Sequence, residues 1–297
     1  MGGQHNHGSY YYKKGSLMKC VVEKPIYLFS DWKKIEKLFR NRFIYLLLDY
    51  DGTLTPIADT PRKAIMPARA KTLLHRLSGL SRCKVAIVSG RRLSDVKKRV
   101  GLKNIIYVGN HGFEIKGPGV KFENPLPKHY KASLDEIKSK LKRRLSGIKG
   151  VIVEDKGFSL GVHYRLVSNK NIPEVKNIFY DITSAYETKN IITVKTGKMA
   201  LEIRPPMAWD KGKVVLWLLA RLSASIRNKN IKTLPVYIGD DTTDEDAFES
   251  LGNKGITVFV GNPKNTKARF YLKEPDEVAR FLETILNMQR QVTYAGK

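Results

Sequence analysis

Ile44-Tyr45-Leu46-Leu47-Leu48-Asp49-Tyr50-Asp51-Gly52-Thr53-Leu54-Thr55 is the stretch that decides the fold. Its first five residues form an unbroken apolar run, the pattern of a strand buried on both faces. Two carboxylates follow where that strand should end. Side chains alternate along a strand, so Asp49 and Asp51 point the same way, and Gly52 lets the chain turn after them. In a parallel α/β sheet ligands bind at the carboxyl ends of strands. Two aspartates on one side of such an end repel each other unless a cation lies between them. The stretch therefore predicts a metal-assisted site, against the plainer reading of an Asp-rich turn.

The same arrangement recurs outward from it. Val85-Ala86-Ile87-Val88 runs into Ser89-Gly90-Arg91-Arg92, and Ile105-Ile106-Tyr107-Val108 ends in Gly109-Asn110-His111-Gly112. Pro235-Val236-Tyr237-Ile238 ends in Gly239-Asp240-Asp241-Thr242-Thr243-Asp244-Glu245, and Ile256 to Val260 ends in Gly261-Asn262. Helical apolar spacing fills the intervals, as in Leu73, Leu74 and Leu77 after Pro67, or Leu93, Val96 and Val100. Strand and helix in alternation predict an α/β, doubly wound parallel sheet.

Between residues 114 and 206 the rhythm changes. A loop rich in Gly and Pro precedes a helix over 134–145 and a hairpin of 151–154 with 159–165. A helix over 173–186 and a hairpin of 191–196 with 199–204 follow. This predicts an inserted α+β domain with an antiparallel sheet covered on one face. Met199, Leu201 and Ile203 should pack on its helices, while Lys198, Ala200, Glu202 and Arg204 face the first domain or solvent. The expected division is a tail over 1–24, core over 25–113, insert over 114–206, core over 207–290 and a tail over 291–297. His5 and His7 fall in the first tail and make a poor metal site.

The chain has 297 residues, 42% hydrophobic and 28% charged, an ordinary composition for a chain with a real core. Its longest apolar run within a helical pattern, Val214 to Ala220, is too short to cross a bilayer, and no basic-then-apolar leader opens the sequence. Two cysteines, Cys20 and Cys83, exclude a disulfide framework and fit a reducing cytoplasm. A formal charge of +26 could serve nucleic acid or attract small anions. The lysines are spread over most predicted helices rather than gathered into an aromatic-studded stripe, which favours steering of a phosphorylated small molecule over specific nucleic-acid or membrane binding.

Four polar clusters follow four buried strands: Asp49/Asp51, Ser89/Arg91, Asn110/His111 and Asp240/Asp241/Asp244. A parallel sheet brings them to one edge. Asp49, Asp240 and a backbone carbonyl of the first loop offer hard oxygen ligands to Mg²⁺. Ser89 and Lys211 supply the hydroxyl and cationic donors that a phosphate needs. With metal and lysine neutralising the phosphoryl charge, Asp49 could attack phosphorus to give an aspartyl-phosphate. Asp51 would then serve as acid and base.

Asp-x-Asp-Gly-Thr-Leu-Thr, a strand-terminal Ser, a helix-start Lys and Gly-Asp-Asp-x-x-Asp, in this order, resemble the haloacid dehalogenase (HAD) superfamily. Val-Ser-Gly-Arg at 88–91, Gly-Asn-His-Gly at 109–112, Val-His-Tyr-Arg at 162–165, Leu-Glu-Ile-Arg-Pro at 201–205 and Gly-Asp-Asp-Thr-Thr-Asp-Glu at 239–245 extend the match. These segments resemble the trehalose-6-phosphate phosphatases. The resemblance implies a Rossmann-like core with a mobile cap, and Asp49, Asp51 (through its carbonyl) and Asp240 holding Mg²⁺. It implies substrate contacts from Asp49, Tyr50, Asp51, Ser89 and Gly90, and contacts to the disaccharide from Lys198 and Glu202 with Arg91, His111 and Glu114 nearby. The implied enzyme is a trehalose-phosphatase; cysteine usage adds the expectation that it is cytoplasmic, and a monomer is expected.

Other readings stay open at single residues. Asp241 and Asp244 either support the ligands or cap the next helix. His111 could merely brace its loop, and Glu202 could be a solvated strand residue. His163 and Arg165 are expected to stabilise the cap hairpin, and Trp209 to pack. The substrate could instead be sucrose 6-phosphate or a hexose or glycerol phosphate, and a nucleic-acid-binding protein on an inactive scaffold is a remote third reading.

Overall fold

A computed structural model describes residues 24–30, 32–224 and 231–294, so most of the expected first tail, with His5, His7 and Cys20, lies outside it. In chain order the strands begin with β1 (Ile26–Tyr27), β2 (Phe43–Leu48), β3 (Cys83–Val88), β4 (Ile106–Gly109), β5 (Glu114–Gly117) and β6 (Val120–Glu123). Then come β7 (Ile152–Asp155), β8 (Leu160–His163), β9 (Thr193–Gly197), β10 (Ala200–Arg204), β11 (Thr233–Gly239), β12 (Ile256–Val260) and β13 (Phe270–Leu272). The helices are α1 (Trp32–Phe39), α2 (Ala68–Ser78), α3 (Leu93–Val100), α4 (Tyr130–Leu145), α5 (Ile172–Thr188), α6 (Lys211–Ala224), α7 (Glu245–Leu251) and α8 (Pro275–Tyr294).

Nine strands form one sheet in the order β1-β13-β12-β11-β2-β3-β4-β5-β6. It is parallel from β1 to β4 and antiparallel from there to β6. The apolar run of β2 is explained by its central place. Ile44, Leu46 and Leu48 enter the core beneath α1, α2, α3 and α8, whereas Phe43, Tyr45 and Leu47 enter the core beneath α6 and α7. Leu48 stands level with Ile238 of β11 and Ile87 of β3, so these three neighbouring strands end at one edge. Among the described residues no helix is long and apolar enough to cross a membrane.

The other four strands form an antiparallel sheet in the order β7-β8-β10-β9. Its Leu160, Val162, Leu201 and Ile203 pack beneath α4 and α5, as the alternation predicted for the last strand. Gly161, His163, Glu202 and Arg204 take the opposite face, which closes over the strand ends of the large sheet.

Three boundaries differ from the sequence reading. Residues 114–123, expected as a loop opening the insert, form β5 and β6 and extend the large sheet. Gly117 explains why the loop reading failed. A Cβ there would lie 2.7 Å from Ile106 Cα, so this glycine, besides opening the turn to β6, allows close approach of neighbouring strands. The edge strands β1 and β13 were not predicted. Helix α8 continues through the start of the expected second tail to Tyr294.

Candidate active site

Asp49 leaves β2 almost fully buried, at 5% exposure. Lys211, the first residue of α6, donates from Nζ to Asp49 Oδ1 and to Asp244 Oδ1, both at 2.7 Å. Burial alone would push the Lys211 ammonium down, but Asp244 and Asp49 outweigh it and hold the group above its ordinary value. Burial also drives the Asp49 carboxyl well above the usual range, opposed by Lys211 and reinforced by Asp244 and Asp240.

Asp240 leaves β11 beside Asp49. A Cβ on Gly52 would lie 2.2 Å from Asp240 Oδ2, and Gly52 has φ +82°, so only glycine lets the first loop approach this carboxylate. Lys198, from the β9–β10 turn, donates to Asp240 Oδ2 at 2.5 Å and to its carbonyl oxygen at 2.6 Å. Burial foremost raises the Asp240 carboxyl to about 6.

Carboxylate oxygens of Asp49, Asp240 and Asp244 lie within 4.8 Å of one another. Asp244 is already saturated: Oδ1 accepts from Lys211 and from the Tyr237 hydroxyl, and Oδ2 from the backbone N–H groups of Asp240 and Asp241. It pins the site and has no lone pair turned outward for a cation. Asp49 and Asp240 have raised carboxyl pKa values and line the cleft, the setting in which a hard cation relieves buried like charge. Asp241 caps the turn after β11, accepting from Thr242 N at 2.8 Å.

Asp51 is held by the Arg91 fork, with Nε to Oδ2 and Nη2 to Oδ1 both at 2.6 Å. Arg91 is itself buried and bonded to Asp95 and to the Pro61 carbonyl. Ser89 is buried at the end of β3, where its Oγ accepts from Arg91 N at 3.1 Å. Gly90 lines the cleft, and a Cβ there would lie 2.4 Å from His111 Nε2. Tyr50, expected at the substrate, instead sends its ring into the core, with its hydroxyl 3.3 Å from Ala64 O.

His111 and Glu114 also stand apart from the cleft. His111 adopts φ +55° after β4 and sits in the seam between the two sheets. Its Nε2 is 2.8 Å from Arg204 Nη2 and 3.0 Å from Glu202 Oε2. Burial and then Arg204 push its pKa down to about 3. Glu114 accepts from Asn110 Nδ2 at 2.5 Å and from Leu93 N at 3.3 Å, bracing the loop against α3.

Glu202 does line the cleft. Its Oε1 accepts from Lys156 Nζ at 2.7 Å, and its Oε2 from Arg204 Nε at 2.8 Å. Burial opposes its charge, but the Lys156 and Arg204 cations more than restore it, leaving the carboxyl well below its ordinary range. Arg165 donates to the Lys198 carbonyl at 3.0 Å and braces the hairpin as expected. Trp209 packs on Phe122, ring centroids 5.7 Å apart. Sequence reasoning missed Glu154 and Lys156, which face the cleft from β7 and the turn after it. The only signal was the charged pair flanking Asp155, which reads equally as a solvated turn.

Asp49, Asp51, Lys198, Glu202, Lys211 and Asp240 thus converge on one cleft of about 220 Å³ between the two sheets. The strand order, with its acidic strand ends beneath a second sheet, places the chain in the fold class of a haloacid dehalogenase-like hydrolase of Bacteroides thetaiotaomicron, which it matches with a TM-score of 0.58 at 17% identity over 82% of this chain and all of that one. Within that class, a family model described as trehalose-phosphatase matches residues 47–276, and the chain belongs to this family. A trehalose-phosphate phosphatase of Mycobacterium tuberculosis is 36% identical over 251 residues, covering 83% of this chain and 62% of the relative. The chain thus spans about three fifths of that relative's length. A protein of Arabidopsis thaliana named "Probable trehalose-phosphate phosphatase D" is 35% identical over 281 residues, covering 90% and 73%. The trehalose-6-phosphate phosphatase C-terminal domain of C. albicans shares the fold, with a TM-score of 0.76 at 24% identity over 89% of this chain and 98% of that one.

Proposed function

We propose that the chain hydrolyses trehalose 6-phosphate to trehalose and phosphate through an aspartyl-phosphate on Asp49. The observation that carries this is a buried carboxylate, Asp49, held on one oxygen by Lys211 and facing a cap wall bearing Glu154, Lys156 and Glu202. The roles follow from the contacts. Asp49, Asp240 and the Asp51 carbonyl would hold Mg²⁺. When bound, that ion would neutralise phosphoryl charge and favour the ionised form of Asp49. Lys211, anchored on Asp244, orients Asp49 and presents positive charge to the phosphoryl group. Ser89 would donate from its hydroxyl to a phosphoryl oxygen.

The Asp49 oxygen not held by Lys211 bonds to phosphorus as the bond to the sugar oxygen breaks. Asp51, turned out of the Arg91 fork, delivers a proton to that oxygen. In the second half Asp51 takes a proton from water while the water oxygen displaces Asp49 and releases phosphate. Glu154 accepts hydrogen bonds from hydroxyls of the disaccharide, and Glu202 does so as Lys156 turns from its Oε1 to donate, with Lys198, to sugar oxygens. Lys198 now bridges the cap to Asp240, so substrate entry requires that contact to part.

Phosphate release over a panel of sugar phosphates with Mg²⁺ tests the reading. Trehalose 6-phosphate should be the preferred substrate. Faster release from sucrose 6-phosphate, a hexose phosphate or glycerol phosphate, with none from trehalose 6-phosphate, overturns it.

A further inference from the structure

The cleft wall holds a histidine that this chemistry leaves unused. His163 lies on β8 opposite Ile152 of β7, whereas Glu154 stands opposite Gly161. His163 is therefore a diagonal neighbour of Glu154, yet its Nε2 lies 2.8 Å from Glu154 Oε2. The diagonal is open because residue 161 carries no side chain. A Cβ on Gly161 would lie 3.1 Å from His163 Nε2 and 3.7 Å from Glu154 Oε2, wedged against the pair. All three residues line the cleft.

We propose that His163 is a positioning residue: through the gap left by Gly161 it fixes the Glu154 carboxylate as an acceptor for substrate sugar hydroxyls. Stability alone does not account for the arrangement. The two side chains are 25% and 27% exposed on the wall of an open cleft, where solvent screens part of what their contact contributes to folding. A glycine inside a strand weakens it by lost entropy and lost packing. What the pair supplies is orientation. One Glu154 oxygen is tied to the ring nitrogen, which fixes the plane of the carboxylate toward the cleft. Glu202, opposite Gly161 on its other side, is fixed independently by Lys156 and Arg204. The cap sheet thus presents two preset carboxylates on either side of a glycine, roughly two strand spacings (about 9.6 Å) apart along the sheet. That layout suits hydroxyls at separate positions of a sugar.

The inference rests on the sugar-phosphate reading only in needing a polyol substrate. Steady-state kinetics on trehalose 6-phosphate and p-nitrophenyl phosphate, with melting curves as a fold check, test it. His163→Ala should raise KM for trehalose 6-phosphate about tenfold relative to KM for the aryl phosphate, as for one lost charge-assisted hydrogen bond. Gly161→Ala should reproduce that ratio, since it obstructs the same contact. His163→Gln, whose amide N–H reaches a similar position, should recover most of it. An unchanged KM ratio in His163→Ala, or a glutamine variant no better than alanine, overturns the proposal. If wild-type protein leaves trehalose 6-phosphate intact, the proposed function fails separately, and the same ratio is read on whichever sugar phosphate it hydrolyses.

Discussion

Asp49 and Asp244 share a lysine but do different work, and substitution should separate them. Asp244 receives Lys211, the Tyr237 hydroxyl and two backbone N–H groups, all buried. Asp244→Ala strands those donors and should cost about 3–5 kcal/mol, read from urea unfolding. Asp49→Asn keeps a polar partner for Lys211, so it should preserve the unfolding curve while lowering turnover on the order of 10⁴-fold. Comparable activity loss with no stability loss in Asp244→Ala would contradict this division. Much of the residue-level picture was legible in the sequence, because Asp49, Ser89 and Asp240 each follow an apolar run that could only be a buried strand. Tyr50 was misplaced for the opposite reason. Lying between two outward carboxylates, it must point the other way, into the core. Glu154 and Lys156 were invisible because every residue of β7 is half-buried and Lys156 lies in the turn after it, so the two charges read as a solvated hairpin.

The seam between the cap sheet and the strand ends depends on a neutral histidine. His111 has an ordinary value of 6.5 and is pushed down to about 3 by burial and Arg204. The unfolded chain takes up this proton as pH falls below about 6.5, whereas the folded chain resists until about 3. The His111 contribution to stability is therefore full above that window and is lost progressively as pH falls through it. Urea midpoints at pH 7 and pH 4 should fall further for wild-type protein than for His111→Gln, and equal falls would remove His111 as the cause. At the same scale, Gly90→Ala should disturb the seam even at neutral pH, because its Cβ would meet the imidazole at 2.4 Å. Cap helices and hairpins were readable from alternation, but β5 and β6 were not. Gly117-Pro118-Gly119 announces a turn without revealing which sheet the flanking strands join, a matter of pairing across the sequence.

For the molecule as a whole, the net charge of +26 and the paired sheets carry the consequences. Long-range attraction of an anionic substrate is screened over about 10 Å at 0.1 M salt, so kcat/KM for a sugar phosphate should fall as ionic strength rises. A flat salt profile would show that the charge plays no part in capture. Added Mg²⁺ should raise the melting temperature and a chelator reverse it, with the rise absent in Asp240→Asn; an equal rise in that variant would place the ion elsewhere. The chain enters the cap after β6 and returns before α6. Phe122 and Trp209, on those two stems, touch ring to ring, and Trp209 Nε1 donates to the Gly112 carbonyl at 2.9 Å. Both cuts needed to remove the cap therefore fall beside one aromatic clasp. A foreign specificity module spliced in between residues 123 and 208 would therefore start from one ready-made junction, and would still have to replace the Lys198 contact with Asp240 and the Arg204 contact with His111 that tie this cap to the strand ends.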